Sequence, residues 1–122
     1  MRDLEASLGR SSLGDRAVTL SRLTDLFMVT ANGMTEEQVE VFDVVISRLA
    51  TAIEERARAE LSERMADVPN APPGVVRLLA HDEIDIARPV LTRSPRLSSE
   101  DLLSVAANKG RDHMLAITER PM

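Results

Sequence analysis

Residues 69–94 read PNAPPGVVRLLAHDEIDIARPVLTRS and residues 95–120 read PRLSSEDLLSVAANKGRDHMLAITER, with Pro121 next. Proline therefore recurs at 69, 95 and 121, a spacing of 26 residues. A fixed period in this range marks stacked helical units, each too small to bury its apolar face alone. Laid over one another, the two stretches share apolar positions at Val76/Leu102, Leu79/Val105, Ala80/Ala106, Val90/Ala116 and Leu91/Ile117. Identity is confined to three pairs, Pro69/Pro95, Ala80/Ala106 and Thr92/Thr118. Ile84/Gly110, Ile86/Asp112 and Ala87/His113 disagree. The register thus rests on the prolines and the apolar rhythm, and two unrelated helical hairpins are the competing reading.

Each stretch reads as a pair of short helices. Three prolines within residues 69–73 stiffen the turn that opens the first, and Pro72 or Pro73 suits a first helical position. That helix runs to about His81, with Val75, Val76, Leu78 and Leu79 inside. Asp82 or Asp85 caps the next, which carries Ile86, Val90 and Leu91; Pro89 kinks it only if Asp82 is the cap. Ser98 with Asp101 has the spacing of a capping box, and Leu97 with Leu102 that of a hydrophobic staple. A last helix, Arg111 to Arg120, carries Met114, Leu115 and Ile117. Pro121 stands where a third unit would begin, which is the pattern expected of the front piece of a longer stack.

Upstream, residues 1–12 hold a weak Leu4/Leu8 pair and read as a short helix or an arm. A helix follows from Gly14 to about Ala31, its stripe Leu20, Leu23, Leu26, Phe27 and Ala31 recurring at three and four. Asn32-Gly33 ends it, glycine being the residue that accepts a left-handed closing conformation. Thr35 and Gln38 form a second capping-box spacing. No Gly or Pro interrupts residues 36–68. One helix over residues 35–66, about 45 Å long, is therefore expected, with a break near Ala50 as the alternative. Its first half is apolar around most of its circumference, because Val41, Val44 and Val45 widen the stripe of Val39, Phe42, Ile46 and Leu49. Its second half keeps only Ala57 and Leu61 and is laced with Glu54/Arg58 and Glu60/Arg64 pairs.

Composition agrees with helix and narrows the chemistry. The chain has 122 residues, room for one domain over residues 1–122, with 43% apolar residues, Phe27 and Phe42 as its two aromatic side chains, and no cysteine. Disulfides, zinc–thiolate centres and cysteine nucleophiles are thereby excluded. The start, Met1-Arg2-Asp3-Leu4-Glu5, carries charge where a secretory leader needs an apolar run, and no stretch approaches a membrane span. A cytoplasmic protein is expected. The net charge of −5 lies wholly in residues 1–68; residues 69–122 balance. Neither half has the basic excess that phosphate binding requires.

The segments Leu23-Thr24-Asp25-Leu26-Phe27, Glu37-Gln38-Val39, Arg56-Ala57-Arg58-Ala59-Glu60-Leu61, Pro69-Asn70-Ala71-Pro72, Leu79-Ala80-His81-Asp82, Ala87-Arg88-Pro89-Val90-Leu91 and Ser94-Pro95-Arg96-Leu97-Ser98 occur in this order. Together they resemble a bacterial family catalogued as domain of unknown function 2336. The resemblance spans about residues 20–120. It implies a HEAT-like helical-repeat protein, usually longer than this chain, and it brings no activity, ligand or catalytic residue.

The fold expected is all-α: an N-terminal helical hairpin with one long helix, then two short helix-pair repeats, 69–94 and 95–120, forming a HEAT-like α-solenoid fragment. No catalytic, metal or cofactor signature accompanies it. His81-Asp82-Glu83-Ile84-Asp85 spans a helix end and a turn, so its acids read as caps before they read as metal ligands. Adjacent acids such as Glu54/Glu55 point about 100° apart on a helix and cannot share one bond. Six apolar residues of the widened face, Val39, Val41, Phe42, Val45, Ile46 and Leu49, form the candidate self-association face; their burial represents roughly 9–18 kcal/mol of transfer free energy. The same residues also read as an ordinary monomeric core. Arg88, Arg93, Arg96, Arg111 and His113 are the candidate contacts of a groove for a protein partner, or else serve ion pairing within the repeats. The function expected is a non-enzymatic protein-interaction scaffold, homodimeric and without cofactor. The alternatives are a nucleic-acid-binding helical repeat, disfavoured by the acidic balance, and a small-ligand sensor or enzyme with a site between repeats.

Overall fold

The structure, a computed structural model, describes residues 13–121. The arm at residues 1–12 lies outside the described residues. Seven α-helices follow in order: α1 Leu13–Thr30, α2 Glu36–Ala50, α3 Glu55–Met65, α4 Pro73–Ala80, α5 Ile84–Arg93, α6 Ser99–Asn108 and α7 Arg111–Thr118. There is no strand among the described residues, so the fold is all-α. No helix among them is long and apolar enough to cross a membrane.

The helices pack in two alternating series. In one, α3 lies against α5 and α5 against α7; in the other, α2 lies against α4. Neighbours in the chain close each pair, α1 on α2, α4 on α5 and α6 on α7. The 26-residue period survives folding, since α4 opens at Pro73 and α6 at Ser99, while α5 opens at Ile84 and α7 at Arg111. Matched positions are also buried together: Leu79 with Val105, and Val90 with Ala116. Even the mismatch Ala87/His113 is two buried residues, His113 keeping 6% of its surface exposed.

The expected single helix over residues 35–66 is two helices. α2 stops at Ala50 and α3 starts at Glu55, with Thr51 to Glu54 turning between them. The turn seats Ile53 in the core at 4% exposure. Its carbonyl is held by Arg58, whose Nη1 donates to Ile53 O at 2.7 Å. No local breaker causes this; a long-range packing demand and one guanidinium do.

Local signals explain most other ends. Thr35 and Gln38 form the capping box that opens α2, and Ser98 and Asp101 the one that opens α6. Each satisfies two amides that a helix start leaves unpaired. α1 ends without a left-handed glycine: Ala31–Gly33 make one 3₁₀ turn, and no residue among those described has positive φ. α5 opens at neither expected cap. Glu83 sits at the cap position without a side-chain bond, and Asp82 Oδ1 accepts from the Glu83 amide at 2.8 Å. Pro89 then falls within α5, which runs on to Arg93.

α4 is capped from a distance. Pro72 holds its cap position and offers no side-chain oxygen, and Pro73 follows without an N–H. The carboxylate of Asp43, on α2, accepts from Gly74 N at 2.9 Å and Val75 N at 2.8 Å. A carboxylate at this end also meets the positive pole of the helix dipole.

The core runs through all seven helices. Leu20, Thr24, Phe27 and Ala31 supply it from α1 and the 3₁₀ turn, and Val39, Ile46 and Ala50 from α2. The rings of Phe27 and Phe42 meet at 5.5 Å and 59°, a tilted contact that adds to their burial. Thr24 fits among apolar neighbours because its hydroxyl donates to Leu20 O at 2.8 Å. Val75, Val76, Leu79 and Ala80 of α4, and Ile86, Ala87, Val90 and Leu91 of α5, are almost wholly enclosed. Burial thins at the far end, where α6 encloses Val105 and α7 His113 and Ala116.

Candidate interaction surface

The widened face of α2 divides in two. Val39 and Ile46 point into the chain's own core, at 1% and 0% exposure, so they cannot belong to a contact face. Phe42 and Leu49 are half-buried against that core. Val41, Val44 and Val45 stand out at 64%, 56% and 41% exposure. α1 adds Leu26 and Val29 beside them, at 54% and 83%. Leu23, Leu26, Val41, Phe42 and Val45 line one depression, and Leu26, Val29, Met34 and Phe42 line an adjoining open groove of about 630 Å³. Leu26 departs from its expected place in the buried stripe. Thr24 takes that place, since a turn of four from Leu20 and three to Phe27 turns Leu26 outward.

The four arginines and the histidine do not form one groove. Arg88 pairs with Glu119 at 3.2 Å. Arg93 pairs with Glu63 at 2.7 Å and Asp67 at 3.2 Å. The Glu63 bond is the main reason its guanidinium holds its proton above the ordinary arginine range. Arg96 forks onto Glu36, at 2.7 and 3.2 Å, and its Nε donates to Ala71 O at 2.6 Å. The bond from Arg96 in turn holds the Glu36 carboxyl below the usual carboxylate range. These partners lie on other helices, whereas the acids that sequence spacing offers, Asp85, Asp101 and Asp112, take no part in these pairs. His113 is not a surface residue: its Nε2 meets Asp82 O at 2.7 Å, tying α7 to the turn before α5. Arg111 alone of the five is exposed and outside any ion pair among the described residues.

Arg120, which sequence spacing does not single out, makes the closest engagement. Its fork donates to Leu91 O and Ser94 O at 2.6 Å each, filling the C-terminal carbonyls of α5 with no carboxylate nearby. Burial pushes its pKa below the ordinary arginine range. The acidic turn is likewise occupied by structure. His81 Nδ1 meets Arg77 O at 2.9 Å, and Asp82 pairs with Arg58 at 2.7 Å, which raises the Arg58 pKa. Glu83 shares a hydrogen bond with Glu55, and that bond together with the like charge lifts its pKa.

A second apolar opening lies at the far end of the stack. Ala106 of α6 and Arg111, Met114, Leu115, Ile117 and Thr118 of α7 line it. Met114 and Leu115 are half-exposed there, at 50% and 51%. Both ends of the molecule thus present uncovered apolar surface, and its middle does not. No family model, curated protein or solved structure matches this chain.

Proposed function

We propose that this chain is a non-enzymatic interaction scaffold: a HEAT-like stack of helix pairs that self-associates and presents a surface to another protein. The observation that carries the reading is the outward face of α1 and α2. Leu26, Val29, Val41, Val44 and Val45 expose on the order of 500 Å² of apolar surface in one place, at the upper end of what single soluble proteins leave open. The succession of α3, α5 and α7, with α2 on α4, supports the solenoid reading. So does the 26-residue recurrence of helix starts. The reading carries no catalytic residue and no cofactor, and it keeps the family resemblance described above as part of the proposal. Most of the predicted groove arginines are already committed to inter-helix pairs, so the apolar face, not the basic one, is where a partner docks.

The test is light scattering across a concentration series, beside affinity capture with the wild-type chain and with Val41→Glu. The expected result is self-association, with captured partners, and loss of both in the variant at unchanged helix content. A wild-type chain that stays monomeric and captures nothing overturns the proposal.

A further inference from the structure

We infer that two copies of this chain pack α2 against α2, antiparallel, about a twofold axis at Val44. The inference rests on the self-association reading and names its geometry. Glu37, Glu40, Val41, Val44, Val45 and Arg48 follow one another at helical spacings of three and four, so they form a single stripe along α2. All six are exposed. The stripe has acids at its start, valines at its centre and a base at its end. None of its charged members enters an ion pair among the described residues. That polarity follows the dipole of α2, acids toward the positive pole and base toward the negative one.

A stripe built this way is complementary to its own reverse. Centring an antiparallel copy on Val44 sets Glu40 of each chain opposite Arg48 of the other, twice. Val41 and Val45 then flank the axis and interdigitate with their counterparts. A twofold contact needs this kind of patch, in which one surface serves both sides. The amount of surface fits as well. The apolar part of the face is more than half of the ~800 Å² that each partner gives to a standard stable interface. The charged ends of the stripe, with Leu26 beside Val41 and Val45, extend it. A nucleic acid would meet Glu37 and Glu40 as repulsion, and an unrelated helix would gain nothing from the symmetry.

The chain has no cysteine, so a single Val44→Cys variant places one thiol per copy at the proposed axis. Mild oxidation should convert it to a covalent dimer, because only a near-axial position brings identical residues within disulfide reach. Glu100→Cys, exposed on α6, is the control and should stay monomeric on a non-reducing gel. Glu40→Lys and Arg48→Glu should each weaken the dimer about tenfold or more, and the double swap should restore it to within a few-fold. These side chains are exposed, so helix content is expected to stay unchanged. A dimer that survives both single swaps while Val44→Cys fails to cross-link overturns this pairing and leaves self-association standing. A wild-type chain that is monomeric throughout overturns both, and the face then belongs to a different protein.

Discussion

Gly74→Ala should destabilise the protein, although alanine is the better helix former. A methyl group at Gly74 would lie 2.7 and 2.8 Å from the two carboxylate oxygens of Asp43, closer than Cβ atoms approach oxygen. The carboxylate must then swing away from the amides of Gly74 and Val75, which it now accepts from at 2.9 and 2.8 Å. Losing a charged cap costs about 2 kcal/mol, between the loss of an ordinary cap and that of a charge-assisted bond. Alanine's intrinsic helix advantage over glycine returns ~1 kcal/mol. The net is about 1 kcal/mol of destabilisation. Asp43→Ala alone should cost about 2 kcal/mol, since it leaves the same two amides without an acceptor. In that background the clash is gone, so Gly74→Ala should stabilise by ~1 kcal/mol. The substitution therefore changes sign with its background, and the double-mutant cycle gives a coupling of about 2 kcal/mol. Urea unfolding followed by far-ultraviolet circular dichroism measures all four proteins. Additive effects, or a stabilising Gly74→Ala in the wild-type background, would refute the reasoning.

Arg120→Ala should lower stability by about 1.5–3 kcal/mol, and Arg120→Lys should recover little, because a single ammonium cannot span the carbonyls of Leu91 and Ser94; thermal melts decide this. Leu79→Ala, at the centre of α4, should cost about 2–5 kcal/mol in the same assay as it opens a cavity. Stability should respond to acid in two opposed ways. The Glu36 carboxyl, depressed by Arg96, contributes stability that is complete above the unfolded carboxylate pKa and is lost as pH falls through the folded one, so Glu36→Gln should flatten the acid limb of the unfolding profile. The Glu83 carboxyl, raised by Glu55, contributes stability that is complete below the unfolded pKa and is lost as pH rises through the folded one. Glu83→Gln should therefore gain on the wild type at neutral pH and lose that gain in acid, as read from urea midpoints.

Features written in neighbouring residues were legible, and features written across the chain were not. The capping boxes at Thr35/Gln38 and Ser98/Asp101 lie within three residues, and both formed. The 26-residue rhythm placed α4 to α7 because each helix start repeats a local signal. The turn at Thr51 to Glu54 carries no such signal; it exists because Ile53 is enclosed and Arg58 grips its carbonyl. The cap on α4 comes from 31 residues upstream, and no window around Pro72 could reveal Asp43. For the candidate surface, the width of α2's apolar arc was visible, yet periodicity could not say which side the core would take. Val39 and Ile46 went inward, and Val41, Val44 and Val45 stayed out. The arginines were visible as a set, but their partners were not, since each pairs through the fold and not along its own helix.

Those arginines also set how the molecule gives way under load. Arg93 clasps Glu63 and Asp67, Arg88 meets Glu119, and Arg120 grips Leu91 and Ser94. Each clasp fastens one helix pair to the one before it and closes a span of 26 to 31 residues. In a chain whose units touch only their neighbours, tension applied at the α7 end is borne first by the Arg120 and Arg88 clasps alone. Stretching should yield a staircase, one helix pair per step, and not a single rupture.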